Sequence, residues 1–463
     1  MKTSIYSFLL VLLFSLPSIG QTKEQPPKGG EPRDFHLPQK EVINFDNGLK
    51  LVLVPYGSIP KVLISISVKT GNINENKDEV WLADLLAKLM EEGPAENYSV
   101  KDKLAGMGGS LSINVGPLST SLNTDVLSEF APEALGVLAD VLINPKLPES
   151  ELERLKNNMK RNLTVSLARP GTQARKEFYA EIYPDHPYGR LYPTEKQVDT
   201  YSIADVKSFY QTNFGAQRTT VYVVGNFNAE QIKEMAKEKL NNWKKGQEIS
   251  YPIAHPQSTG TVKVIDRPGA PQSTIMFGLP INVDPSNKDY IPLNVMNSLL
   301  GGSFGSRITS NIRENKGYTY SPRSSYITQY KTGLWVENAD VTTEFTGPSI
   351  DEIKKEIVRL QNEAPTKSEL QGIQNYESGF FVLMNSIPEG IIEQLDFLEI
   401  HRLPESFLEN QVKNINGVIP QQIQEVAKKY LPVEKMTLVV VGDKDKIKDQ
   451  VKESLARPKK KEQ

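Results

Sequence analysis

VYVVGNFN at residues 221–228 runs into EQIKEMAKEKL at 230–240, and LVVVGDKD at 438–445 runs into KIKDQVKESL at 446–455. Each reads as an apolar strand that stops at a glycine, followed by an amphipathic helix. Gly225 and Gly442 stand 217 residues apart. A period of that length means duplicated domains rather than a solenoid. Neither half shows the regular strand–helix alternation of a doubly wound sheet, so the expected class is α+β. Each domain should be a mixed sheet packed against long helices, the two forming the halves of a clam-like chamber.

The first half alternates cleanly at VLISISVK, residues 62–69, with Val62, Ile64, Ile66 and Val68 on one face. Other strands are expected at 49–54, 109–115, 120–126 and 219–224. Helices are expected at 78–92, closing at Gly93-Pro94, and at 132–143, 149–168 and 201–214. The second half replays this order, with strands at 262–265 and 273–279 and helices at 290–300, 350–362 and 368–383. Residues 244–260, with Pro252, Pro256 and Gly260, read as the linker. The boundaries are therefore a signal at 1–20, a disordered leader at 21–38, a first domain at 39–243, a second at 261–456, and a basic tail at 457–463.

The chain has 463 residues, 38% apolar and 24% charged, which suits a soluble protein of more than one domain. Residues 1–20 combine Lys2, an apolar run at 5–16 and the small end Ser18-Ile-Gly20, the pattern of a secretory signal. The run is shorter than the ~20 residues a spanning helix needs. There is no cysteine, which excludes disulfides, thiolate ligands and a cysteine nucleophile. Export without cysteines suits a bacterial periplasm, the other readings being an extracellular protein or one held at a membrane by residues 1–20 as an anchor. Without Lys2 the balance is 53 cations against 56 anions, a formal charge of −3, with no electrostatic footprint for nucleic acid. RPKKK at 457–461 reads as a solvated terminus.

One stretch carries chemistry: LLGGSFGSRITSNIRENKGYTYS, residues 299–321. It predicts a helix that starts after two glycines, ends at Gly317, and gives way to a strand at Tyr318. Arg313 then lies in the last turns of the helix and Tyr320 on the emerging strand. This stretch, with residues 202–225 and the paired VVG strand ends, resembles the pitrilysin/insulinase metallopeptidases, the inverzincins. The resemblance extends from about residue 45 to 455. It implies that Arg313 contacts substrate carbonyl oxygens and that the Tyr320 hydroxyl supports the developing oxyanion. Without the resemblance, Arg313 would pair with Glu314 or cap its helix, and Tyr320 would be core packing.

Active members of that family carry His-x-x-Glu-His on the first long helix, two imidazoles for zinc and a carboxylate base between them. Laid on that pattern, Leu82–Leu89 places Asp84 at the first His, Ala87 at the Glu and Lys88 at the second His. Ala87 cannot take a proton from water, and an ammonium has no lone pair for a metal. No Asp or Glu occurs from Leu155 through Lys176 to complete a metal site. Asp84 and Lys88, four residues apart, are expected to form a helix-surface ion pair instead, worth ~0.3–0.5 kcal/mol. The four histidines, at 36, 186, 255 and 401, include no pair within a helical turn. No Gly-x-Ser-x-Gly elbow is present, and GGSFG at 301–305 lacks the Lys-Ser/Thr of a phosphate loop.

The resemblance therefore implies a zinc-less, substrate-binding subunit of a split peptidase. No cofactor is expected in this chain, and zinc is expected in a partner of the same family. Substrate would be an extended peptide added to the edge strand that corresponds to residues 109–114, with Ser110, Ser112 and Asn114 as its polar side chains. An ordinary internal strand is the other reading of that segment. The rival functions are an inert structural protein of the same fold, like the core proteins of respiratory complexes, a self-sufficient peptide-binding module, and a lone zinc peptidase, which would need metal in the purified protein.

Overall fold

The computed structural model describes residues 35–94 and 98–456. The expected signal at 1–20, the leader through residue 34 and the tail at 457–463 lie outside them. Of the leader, Phe35 sets its ring edge-on against Phe381, centroids 4.8 Å apart.

The first half opens with a hairpin, β1 (Glu41–Asn44) and β2 (Lys50–Pro55), then β3 (Lys61–Val68). Helices α1 (Leu82–Glu92) and α2 (Val100–Gly106) precede β4 (Ser112–Val115) and β5 (Thr120–Leu127). Next come α3 (Ala131–Ile143), α4 (Glu149–Leu167), α5 (Pro170–Ile182), α6 (Glu195–Thr200) and α7 (Ile203–Asn213). β6 (Thr219–Gly225) and α8 (Ala229–Leu240) close the half. Residues 244–260 carry neither helix nor strand.

The second half runs β7 (Val262–Asp266), β8 (Gln272–Ile281) and α9 (Tyr290–Asn297), which continues into a π-helical turn, Ser298–Gly302. A second π-helical segment, Thr309–Asn315, precedes the hairpin β9 (Arg323–Gln329) and β10 (Thr332–Thr342). Helices α10 (Thr346–Asn362), α11 (Lys367–Met384), α12 (Pro388–His401), α13 (Ser406–Glu409), α14 (Gln411–Asn416) and α15 (Pro420–Tyr430) follow. β11 (Thr437–Gly442) and α16 (Lys444–Ala456) end it.

The two sheets have strand orders β1-β2-β6-β3-β5-β4 and β7-β11-β8-β10-β9. Without β1, the second repeats the first strand for strand, parallel at β2–β6 and β7–β11 and antiparallel elsewhere. The VVG echo is thus the same interior strand in two copies. Gly225 ends its copy with φ +141°, where a Cβ would lie 2.3 Å from the Lys61 carbonyl oxygen, so only glycine fits.

Both VVG strands are buried on both faces, because each half lends a helix to the other. Val221 and Val223 of β6 pack into their own half's core, with α1 and α3 residues such as Leu85 and Leu138. Tyr222 and Val224 meet Ile391, Ile392 and Leu395 of α12. In mirror fashion, Leu438 and Val440 of β11 face their own core, and Val439 and Val441 meet Phe178, Tyr179 and Ile182 of α5. Both crossing helices start with a proline at the first turn, Pro170 and Pro388.

An ion cluster pins α12 to the first sheet. The Lys69 ammonium, 2% exposed, pairs with Asp396 and lies 3.4 Å from Glu399. Glu399 also accepts from Lys50 (2.7 Å), the Thr220 hydroxyl (2.7 Å) and the Tyr222 hydroxyl (3.1 Å). Burial by itself would raise the Glu399 carboxyl. The Lys69 charge and the hydrogen bonds from Lys50 and Thr220 outweigh it and bring the pKa down to about 2.

Candidate functional site

α1, where the resemblance puts a zinc motif, is built around buried carboxyls of another kind. Trp81 takes a left-handed conformation (φ 68°) just before the helix. The Glu75 carboxyl then reaches the first backbone donors, accepting from Ala83 N–H (3.0 Å) and Trp81 N–H (3.1 Å). The Asn72 amide donates both to Glu75 (3.1 Å) and to Asp84 (2.9 Å). Burial pushes Glu75 up to about 8, opposed by the Ala83 hydrogen bond and reinforced by the nearby Asp84 charge. Burial also raises Asp84. Ala87 is buried in the core.

Lys88 points outward and pairs with Glu91 (2.7 Å), which corrects the expected Asp84–Lys88 pair. A Lys–Glu pair three residues apart and an inward Asp84 hydrogen-bonded to Asn72 satisfy both charges better than the i,i+4 pairing. These residues do not fit zinc: one buried methyl, one exposed ammonium, and one carboxyl already held by an amide. Among the described residues, no group of three or more His, Asp or Glu could hold a metal ion.

Glu75 has a consequence for pH. A folded-state pKa of about 8, above the ordinary 4.5, means the folded protein holds this proton more tightly than the unfolded chain. Its contribution is full below about pH 4.5 and is lost as pH rises toward 8. Glu75→Gln keeps an acceptor for the helix but cannot ionise. Its urea midpoint should equal or exceed the wild type's at pH 8 and fall below it at pH 5. A wild-type midpoint that does not change relative to the variant's across that range would contradict the assignment.

Glu91 also links this helix to the sheet, because its other oxygen accepts the Ile113 N–H (2.9 Å). β4 pairs with β5 alone and is the outer strand of its sheet. The internal-strand reading of residues 109–114 is therefore excluded, although the strand itself begins only at Ser112. The free side of β4 has one N–H already taken, by Glu91.

The polar face of β3, β4 and β5 and the first turns of α12 enclose a groove of about 570 Å³. Ser110, Ser112 and Asn114 line it, as do Ser65 and Ser67, the serines that alternate with the core residues of ISIS. The helix contributes Glu389, Glu393 and Asp396. Asp396 is neutralised by Lys69, and Asp125 on the sheet by Lys61. Glu389 and Glu393 have no cation within ion-pair distance among the described residues. These carboxylates were missed from the sequence. A signal existed: Pro388 at a helix start, with Glu389, Glu393 and Asp396 at i, i+4 and i+7 on one face.

Arg313 and Tyr320 come together, though not on the predicted elements. The expected α-helix is a π-helix, a form that concentrates at functional sites. Gly317 ends it with φ +66°. The strand starts at Arg323, not Tyr318; only an isolated bridge, Thr319 to Val341, precedes it. Tyr318 stacks on Phe345 (4.4 Å, 16°), whereas Tyr320 is 81% exposed and is not core packing. The Arg313 guanidinium lies 4.6 Å from the ring of Phe304 and 5.5 Å from that of Tyr320, and its Nε is 3.2 Å from Glu314. Each such cation–ring contact at an exposed site is worth ~0.5–1 kcal/mol. Phe304, 70% exposed, is a further member that the sequence reading passed over. The serine groove is on the other sheet, and its lining includes neither Arg313 nor Tyr320.

His186 is structural. Its Nδ1 accepts from Tyr188 N–H (3.2 Å), and its Nε2 lies 3.1 Å from the Pro252 carbonyl oxygen.

Comparison with known proteins agrees with this geometry. Residues 51–192 match the insulinase family (peptidase family M16), and residues 200–376 match the peptidase M16 inactive domain. The chain is 22% identical to the non-peptidase homolog YmxG of Helicobacter pylori, over 84% of this chain and 91% of that one. It is 23% identical to the mitochondrial-processing peptidase subunit beta of Dictyostelium discoideum, over 70% and 72%. Its fold superposes with a TM-score of 0.79 on a peptidase M16 inactive domain from Pseudomonas fluorescens, at 22% identity, covering 87% of this chain and 98% of that one. With the duplicated α+β fold and an α1 that carries Asp84, Ala87 and Lys88 in place of zinc-binding and base residues, the chain belongs to the peptidase M16 (insulinase) family as a member without the zinc motif.

Proposed function

We propose that this chain is the substrate-binding, non-catalytic subunit of a heteromeric M16 peptidase. A partner of the same family brings the zinc. This chain brings Arg313 and Tyr320, which bind the peptide and support the transition state at the partner's metal. The observation that carries the reading is the pair itself: a half-buried arginine within cation–ring distance of two solvent-facing rings, one of them Tyr320, whose side chain is free of the core. Large exposed aromatics held in place by a neighbouring cation are unusual unless something docks there. The outer position of β4, with Ser110, Ser112 and Asn114 facing a polar groove, supports peptide addition to that edge. The word subunit in the name of the Dictyostelium relative agrees with a shared enzyme. The apolar run at 5–16 and the lack of cysteine support export to a periplasm. No described helix is long and apolar enough to cross a membrane.

The test is reconstitution with an exported family member carrying His-x-x-Glu-His from the same organism. The pair should cleave an unfolded peptide in a chelator-sensitive way, and this chain alone should hold less than equimolar zinc and cleave nothing. Equimolar zinc and chelator-sensitive cleavage by the lone chain would overturn the proposal.

The Arg313–Glu314 contact favours a second reading, an inert structural or peptide-binding protein of the same fold. On that reading the reconstituted pair turns over equally well with Arg313 and Tyr320 replaced.

A further inference from the structure

The duplication creates a second groove, and its charge is opposite to that of the first. α5 lies over the second sheet as α12 lies over the first. The N-terminal turn of α12 stands by the cross-strand pair Leu63–Asp125, and that of α5 by the matching pair Thr274–Asp340. Around the second lies a groove of about 540 Å³, lined by Arg169, Arg175, Tyr192, Gln272, Thr274 and Asp340. Where α12 brings glutamates, α5 and the residue that precedes it bring two arginines.

Both arginines are exposed, and neither has a carboxylate within ion-pair distance among the described residues. Arg175 lies 5.5 Å from the ring of Tyr179, which fixes its guanidinium without neutralising it. The one acid in the groove, Asp340, comes from the sheet and accepts the Thr274 hydroxyl instead. Two forked, uncompensated guanidinia suit a carboxylate, which each can grip with paired hydrogen bonds. An acceptor-only acid beside them disfavours a ligand made of acceptors alone, such as phosphate, and favours one that also carries an N–H. A peptide carboxyl terminus has both: an α-carboxylate and, one bond series away, its last amide N–H.

We propose that this groove is a carboxylate subsite, holding the C-terminal carboxylate of a bound peptide between Arg169 and Arg175 while Asp340 accepts the last amide N–H. The proposal rests on the peptide-binding reading above and adds which end of the peptide is recognised. It gives the two grooves different tasks within one chain.

The probe is an unstructured decapeptide of Ala, Gly and Ser, labelled with fluorescein at its N-terminus and made both as the free acid and as the C-terminal amide. Fluorescence anisotropy is read on the full chain at low salt. The free acid should bind at least about 10-fold tighter than the amide, one well-placed charged contact. In Arg169→Ala/Arg175→Ala that ratio should fall to near one, with the amide bound as by wild type, which also shows that the variant folds. Asp340→Asn should reduce the affinity for the free acid. Inorganic phosphate should fail to displace the acid at concentrations where N-acetylalanine succeeds. Equal binding of acid and amide by wild type would overturn the subsite and leave peptide binding standing. Displacement by phosphate as effective as by N-acetylalanine would also overturn it, marking a general anion site. Binding of neither peptide would overturn both readings.

Discussion

Lys69→Met should destabilise the folded chain by about 3 kcal/mol at pH 7, the low end of the range for removing one partner of a buried pair. The ammonium is 2% exposed, and its two acidic partners, Asp396 and Glu399, are 16% and 22% exposed. Methionine fills the space but leaves Asp396 without a cation, while Glu399 keeps only Lys50. Because Asp396 and Glu399 belong to the second half and Lys69 to the first, the lost energy is that of the contact between halves. The sign of its pH dependence follows from Glu399. Its folded-state pKa of about 2 lies below the ordinary 4.5, so its contribution is present above about pH 4.5 and disappears as pH falls toward 2. Urea unfolding should therefore show the full wild-type advantage at pH 7 and a shrinking one below pH 4.5. A variant as stable as wild type at pH 7 would mean that the cluster does not hold α12 to the sheet.

Tyr320→Phe, in the reconstituted pair, should lower kcat about 10²–10³-fold with little change in KM. A donor aimed at developing negative charge acts in the transition state and contributes ~3–4 kcal/mol there. Stability should not move, because the side chain is 81% exposed and its hydroxyl bonds nothing in the core. Arg313→Ala should differ, raising KM as well as lowering kcat, since a guanidinium on substrate carbonyls acts in the bound ground state too. Arg313→Lys should restore only part of the loss, because an ammonium lacks the planar fork that lies against Phe304 and Tyr320. Tyr318→Phe is the matched control. Its ring stacks on Phe345, and its removal of a hydroxyl should leave kcat unchanged. Steady-state kinetics on the four variants separates the roles. Wild-type kcat in Tyr320→Phe would favour the inert reading.

Local pattern carried the fold because its signals repeat. The ISIS alternation, the VVG ends and the capped helices each report one strand or helix, and two copies in the same order report a duplication. Residue identity also disclosed the lost zinc motif, since Ala87 offers no donor atom and an ammonium at Lys88 has no lone pair. Sequence erred where more than one partner competes for the same charged group. Asp84 turned inward because Asn72 was there to hold it, and Lys88 found Glu91 instead. The strand expected at Tyr318 starts at Arg323, and before it only Thr319 bridges to Val341 of the sheet.

The duplicated α+β architecture, the departures from the zinc motif at Asp84, Ala87 and Lys88, and the candidacy of Arg313 and Tyr320 are all legible in the residues. The outer place of β4, the exposure of Tyr320 rather than Tyr318, and the crossing of α5 and α12 between halves come from the folded arrangement. Strand order and helix exchange depend on contacts between residues far apart in the chain, such as Lys50 with Glu399, 349 positions on. A periodicity read over ten residues holds no record of which distant surface will cover it. The two grooves of opposite charge exist only because those distant surfaces meet.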